Sequence, residues 1–206
     1  MLANVQSLFP KFDECHAILT IKRPDIFCVT ESWLNETTDS SLINAPCYSI
    51  CRNDRSIRRG GGTAIFVRNN VIYHHLRCTS TAVNSDEFEI TMMELCNYRM
   101  FIFCIYIPPS LSSLSLACIN DWLLAEVDDL LTKNKPSHRL VIAGDFNHFN
   151  VEQLCSGMDL SDIVTCPTRG KNMLDHILIS NELSNVYFSN LVEYYSPIGT
   201  ADHVTI

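Results

Sequence analysis

Basic residues are scarce in this chain. Its 206 residues carry 15 Lys and Arg against 23 Asp and Glu, a formal net charge of −8. That balance is a poor match for a polyanion, so bulk charge gives nucleic-acid binding no support, and any such contact needs a local basic patch. Long apolar runs are missing too. The longest, Met100 to Ile107, is far too short to span a bilayer, so no membrane partner is expected. The N-terminal Met1 to Gln6 has no basic stretch followed by an apolar one. No signal peptide is read there, and the protein is expected not to be secreted. There is no internal repeat, no low-complexity tract and no Pro/Gly/Ser linker, which predicts one domain over residues 1–206. The ten cysteines include no CxxC pair and no zinc-ligand spacing. The nearest pair is Cys47 and Cys51. Cys28, Cys96 and Cys104 lie in apolar runs and read as reduced, small, buried hydrophobes rather than a disulfide framework.

What is present is a core. Hydrophobic residues make up 47% of the chain, which argues against disorder and suffices for a sizeable interior. Leu8 to Ile21 places Phe12, Cys15 and Leu19 on one helical side, with Pro24 beyond its end. Leu114 to Leu131 repeats apolar residues at Ile119, Leu123, Val127 and Leu130, the pattern of an amphipathic helix. Short apolar strands are predicted at Asp25–Glu31, Thr63–Val67, Val71–Leu76, Leu140–Ala143, Leu174–Ile179 and Val186–Tyr195. Glu87–Leu95 and Met100–Tyr106 read as an antiparallel pair, and Val204 opens a last strand. Residues 144–173 read as mostly irregular, with a short helix around Val151 to Cys155. Many apolar strands and two long helices suggest sheets stacked face to face with helices outside.

The chemistry concentrates in Val141-Ile142-Ala143-Gly144-Asp145-Phe146-Asn147. An apolar strand runs into a glycine, then an acid and an amide two residues apart. In extended chain, residues i and i+2 share a face, so Asp145 and Asn147 are expected side by side at a strand mouth. A carboxylate can activate water or hold a metal, and a neighbouring amide can hydrogen-bond an anionic oxygen. Asn4, Glu31, Tyr106, Asp175, Asp202 and His203 also fall at strand ends, where a rigid scaffold can gather a site. Hard oxygen donors such as Glu31 and Asp202 suit magnesium. A histidine among acids suits proton handling near neutral pH. Residue types alone make a magnesium-assisted phosphoesterase plausible.

Eight segments, in order, then match a known family: Asn4-Val5-Gln6-Ser7-Leu8, Thr30-Glu31-Ser32-Trp33-Leu34, Arg59-Gly60-Gly61-Gly62, Tyr106-Ile107-Pro108-Pro109-Ser110, Gly144-Asp145-Phe146-Asn147, Pro167-Thr168-Arg169-Gly170, Leu174-Asp175-His176-Ile177 and Ala201-Asp202-His203. Together they resemble the endonuclease/exonuclease/phosphatase superfamily, and within it the apurinic-type endonuclease domain of non-LTR retrotransposons of the CR1/Jockey kind. The resemblance implies an α/β fold, a four-layer sandwich of two mainly antiparallel sheets with helices outside, and divalent-metal-dependent nicking of DNA. It implies Mg2+, with Mn2+ as an alternative, held by Glu31, Asn4 and Asp202. Asp145 matches the acid that orients or deprotonates the attacking water, and Asn147 the amide supporting the phosphate. Tyr106 and His203 match phosphate contacts, and Asp175 the acid that orients the histidine. Whether His203 or Asp145 is the base stays open here, as does the metal count. The implied partners are double-stranded DNA and a reverse transcriptase domain on the same parent chain, with action in the nucleus and residence otherwise in the cytoplasm.

Some positions depart from the family. Gln6 and Pro109 stand where repair-type members carry an acid and Asn, which resembles the retrotransposon branch. Ala201 replaces a serine. The first and last strands look short, so the domain reads as clipped at both ends. Arg52, Arg55, Arg58 and Arg59 form the densest basic segment, and with Thr168 and Arg169 they are the expected DNA contacts. His74, His75, His138, His148 and His176 show no ligand pattern. Two other functions compete: a phosphatase or phospholipase of the same superfamily, and an inactive or domesticated domain that only binds DNA.

Overall fold

In the chain's computed structural model, which describes residues 1–55, 60–76, 87–135, 137–184 and 192–206, two sheets stack with helices outside. The strands are β1 (Leu2–Asn4), β2 (Ile26–Thr30), β3 (Tyr48–Asn53), β4 (Thr63–Arg68), β5 (Tyr73–Leu76), β6 (Glu89–Leu95), β7 (Met100–Tyr106), β8 (Arg139–Asp145), β9 (Leu160–Asp162) and β10 (Asp175–Ser180). The helices are α1 (Phe12–Lys22), α2 (Ser113–Asp128), α3 (Val151–Met158) and the single turn α4 (Asn181–Ser184). One sheet runs β1-β2-β4-β3 and the other β5-β6-β7-β8-β10-β9. Only β1–β2 and β7–β8 pair in parallel. The remaining pairs are antiparallel, so the mainly antiparallel sandwich expected from the sequence is what forms.

The alternation of side chains along each strand builds the layers. In β2, Phe27 and Val29 face α1 with Cys15 and Leu19, while Cys28 faces the other sheet. In β4, Ala64 and Phe66 take the α1 side, and Ile65 and Val67 the inter-sheet side. In β7, Phe101, Phe103 and Ile105 meet Ile119, Trp122 and Leu123 of α2 and Leu154 of α3, while Ile102 and Cys104 turn inward. Both faces of these strands are buried, which is why they read as continuous apolar runs. Each buried Phe, Ile or Leu contributes about 1.5–3 kcal/mol relative to exposure. Ser112 caps α2 by accepting from Ser115 N at 3.1 Å, and Asn150 caps α3 by accepting from Glu152 N at 2.9 Å.

Several expectations are adjusted. In the stretch 144–173 the short helix expected around Val151 to Cys155 forms as α3 and runs on to Met158, while the strand β9 was not expected. Cys96 is half-buried, unlike Cys28 and Cys104. The cysteines among the described residues are all free. Of the strand expected over Val186–Tyr195, residues 186–191 lie outside the described residues, and Tyr195 forms a single bridge with Thr205. Ile206 exchanges backbone hydrogen bonds with Leu2 at 2.6 and 2.9 Å. That pairing holds β1 beside Ile206, and Asn4 at the other end of β1 is 1% exposed. Among the described residues, no helix is long and apolar enough to cross a membrane.

Register decides where the polar strand ends meet. In the first sheet Asn4, Thr30 and Thr63 form one cross-strand row. In the second, Glu89, Tyr106, Asp145 and Asp175 form another. The two rows touch where Asn4 Nδ2 donates to Asp145 Oδ2 at 2.8 Å, and one step inward Thr63 and Thr91 share a buried hydroxyl hydrogen bond of 2.8 Å across the sheets. One rim of the sandwich is therefore lined by groups scattered along the whole sequence.

Candidate active site

Asn4 sits at the centre of that rim. Its side-chain N–H2 group donates to Glu31 Oε1 at 3.1 Å and to Asp145 Oδ2 at 2.8 Å. Its Oδ1 accepts from Gln6 N at 3.2 Å. One buried amide thus links two carboxylates from different sheets. Trp33 Nε1 donates to the other oxygen of Glu31 at 3.1 Å. The Glu31 loop is held by glycine carbonyls: Ser32 N donates to Gly62 O at 3.2 Å and Trp33 N to Gly61 O at 2.9 Å. Gly62 has φ +82°, and a Cβ there would lie 2.6 Å from Ser32 Oγ.

Asp145 and Asn147 are adjacent, but not by strand alternation. The strand ends at Asp145. Asn147 adopts φ +49° and its N–H returns to Asp145 Oδ1 at 3.1 Å, an Asx-type turn. Its Nδ2 donates to Ile107 O at 2.9 Å. Gly144 is required by packing: a Cβ would stand 2.0 Å from Ile105 O. Left-handed backbone at Gln6, Ser7, Glu31, Trp33 and Asn147 clusters around this rim, as strained residues do at functional sites.

His203 faces Asp145 from the terminal loop. Its Nδ1 meets Asp175 Oδ2 at 2.6 Å, with both side chains 1% exposed. With Asp175 ionised, Nδ1–H donates and Nε2 points to the rim. Burial would lower the imidazole's affinity for a proton, but the Asp175 hydrogen bond and the charges of Asp175, Asp145 and Asp202 outweigh it, and its pKa is raised. Burial, then the charge of Asp175, pushes the Asp145 carboxyl up to about 7. Burial, then Glu31 and Asp145, raises the Tyr106 phenol, which lies within hydrogen-bonding reach of Glu31. Ligand atoms of Asp145, Asp175 and His203 all lie within 4.8 Å of one another. Asp175 Oδ1 is buried without a hydrogen-bond partner. This surplus of negative charge and the orphaned oxygen fit a divalent cation with oxygen ligands.

The other expected residues divide. Asp202 borders His203, its Oδ1 3.8 Å from Nε2, but it is half-exposed and tied to Gln6 Nε2 at 2.7 Å and Arg169 Nε at 2.8 Å. Arg169, with Asn147, His148, Lys171, Asn172 and Asp202, lines an open cavity of about 570 Å³. Thr168 is placed differently from expectation. It is 1% exposed, and its hydroxyl accepts from Leu174 N and Asp175 N, both at 3.1 Å. It anchors the start of β10 and does not face solvent. Arg55 turns inward, paired with buried Glu89 and 5.5 Å from the Tyr106 ring. Arg52 donates to Thr38 O at 2.8 Å and pairs with Asp54 at 3.3 Å. Arg58 and Arg59 lie outside the described residues. Sequence reasoning missed the roles of Glu89 and Trp33. An acid at the start of an apolar strand, opposite Tyr106, was the available signal for Glu89.

The model of the Endonuclease/Exonuclease/phosphatase family matches residues 1–195. No curated protein matches the sequence. Among solved structures, the Neisseria 3' phosphatase NExo bound to a product DNA hairpin superposes with a TM-score of 0.70 at 14% identity, covering 98% of this chain and 95% of that one. The AP endonuclease LMAP of Leishmania major gives 0.69 at 16% identity, covering 98% and 84%. An AP endonuclease of Archaeoglobus fulgidus gives 0.68 at 15% identity, covering 98% and 95%.

Proposed function

We propose that this chain, which belongs to the endonuclease/exonuclease/phosphatase family, is a divalent-metal-dependent phosphodiesterase that nicks double-stranded DNA. The observation that carries the reading is the convergence of half-buried Glu31 with buried Asn4, Asp145, Asp175 and His203 on one rim. Glu31, with Asn4 beside it, and Asp202 at the mouth would hold the cation. Bound there, Mg2+ or Mn2+ would supply Lewis-acid stabilisation of charge on the phosphoryl oxygens.

The chain's own groups supply the rest. Asp145, buried at the end of β8 beside Asn4, takes the proton of the attacking water. Asp175 fixes the His203 ring so that Nε2 meets a phosphate oxygen, and Tyr106 and Asn147 offer O–H and N–H donors. Arg169 and Lys171 at the cavity edge supply positive charge for the DNA backbone in an otherwise acidic protein.

The finer reading rests on the sequence segments. Gln6 and Pro109 support a retrotransposon-type endonuclease, whose parent polypeptide would carry a reverse transcriptase and act in the nucleus. The test is conversion of supercoiled plasmid to open circles in Mg2+ or Mn2+, with and without chelator. Metal-dependent nicking supports the reading. Intact plasmid with retained DNA binding would favour the binding-only alternative, and release of phosphate from monoesters without nicking would favour a phosphatase.

A further inference from the structure

The opposite end of the second sheet gathers a different set of donors. His74 of β5 lies directly across from Glu94 of β6. Cys96 follows at once on the turn Cys96–Tyr98. One ligand atom from each of these three side chains lies within 4.8 Å of the other two. Glu94 is five steps along β6 from Glu89, about 17 Å by strand rise, so this cluster is separate from the catalytic rim.

Two more residues hold the carboxylate from behind. His138 Nε2 lies 3.0 Å, and Lys135 Nζ 3.3 Å, from Glu94 Oε1. The His138 ring packs on Phe101 with centroids 5.0 Å apart, and its side chain is 8% exposed. Glu94 is thus oriented through one oxygen, as carboxylate ligands of metals commonly are.

We propose that His74, Glu94 and Cys96 form a binding site for a zinc-class divalent ion. A thiol, an imidazole and a carboxylate are the three ligand types zinc accepts, and the thiol discriminates against magnesium. Three protein ligands leave a fourth position toward solvent, where His74 is exposed. On binding, the Cys96 S–H bond gives up its proton to solvent as the sulfur–metal bond forms, and His74 binds as the neutral ring. The ion would clip the edge strand β5 to β6. The site has no sequence signature because its ligands meet across a strand pair rather than at CxxC spacing.

Cobalt(II) is the probe. Reduced, metal-free full chain titrated with cobalt chloride should develop a near-ultraviolet thiolate-to-cobalt charge-transfer band that saturates at one equivalent, and zinc should remove it. The described residues of the catalytic rim include no cysteine, so cobalt bound there cannot produce the band. Cys96→Ser should abolish it. His74→Ala should weaken cobalt binding by ~10-fold or more, and His138→Ala by about 10–100-fold. No band in the unmodified chain, or a band that survives Cys96→Ser, overturns the proposal. Should Cys96→Ser fail to fold, the exposed His74→Ala decides the question, and unchanged cobalt affinity then overturns the proposal.

Discussion

Asp175 and His203 form a hydrogen bond of 2.6 Å in which both side chains are almost wholly sealed from solvent. They come from β10 and the terminal loop. The backbone of Asp175 is itself pinned by Thr168. The imidazole is therefore fixed in orientation, with Nε2 3.8 Å from Asp202 Oδ1.

Asp175→Asn keeps the shape of this pair and removes the charge that holds the Nδ1 proton. The nicking rate should fall by ~10²–10⁴-fold, the usual contribution of acid–base machinery. Near-ultraviolet circular dichroism should stay unchanged. A loss of less than about tenfold would mean that the histidine needs no orienting partner.

Asp145 makes the metal-free protein sensitive to pH. Its carboxyl is raised from 3.8 to about 7 in the fold, so between those values the folded state holds more proton than the unfolded one. Stability should then fall as pH rises through that window and level off above it. Melting temperatures in chelator should show this slope, Asp145→Asn should flatten it, and Mg2+ should raise Tm most at the alkaline end. An identical slope in the variant would remove Asp145 as its source.

Arg55 and Glu89 make a buried ion pair, with side chains 10% and 2% exposed. Arg55→Met alone strands the Glu89 charge and should cost about 3–5 kcal/mol, whereas Arg55→Met with Glu89→Leu should recover most of it. Denaturant unfolding of the two variants checks this. Equal losses in both would show that packing, not the stranded charge, sets the cost.

Gly144→Ala should destabilise, because the new methyl would lie 2.0 Å from the Ile105 carbonyl oxygen. Overpacking of this kind costs about 1–3 kcal/mol or more. A melting temperature within experimental error of the parent would show that β7 and β8 can separate there.

Arg169 should act on DNA rather than on the fold. Its pair with Asp202 is about half-exposed, and such pairs contribute about 0–1 kcal/mol. Arg169→Ala should leave Tm nearly unchanged and lower the log–log salt slope of DNA binding by roughly 0.9 if one phosphate contact is lost. An unaltered slope would return Arg169 to a surface role.

Local pattern carried much of this in the sequence itself. Periodicity marked α1 and α2, and apolar runs marked β2, β4, β6, β7 and β8, because both faces of those strands are buried. The ordered motifs pointed to Glu31, Asp145, Asn147 and His203. Tertiary structure decided what no short segment can encode. Asn4 bridges Glu31 and Asp145 because β1 and β8 lie in facing sheets. Thr168 turns inward because the β10 backbone needs an acceptor there. Arg55 leaves the solvent because Glu89, distant in sequence, needs a buried counter-charge. The His74, Glu94 and Cys96 cluster exists only through strand register. Sequence determines which groups sit at strand ends through propensity and period. Which of those groups share charge, protons or a metal depends on distances of a few ångströms between segments far apart in the chain, and only packing sets those distances.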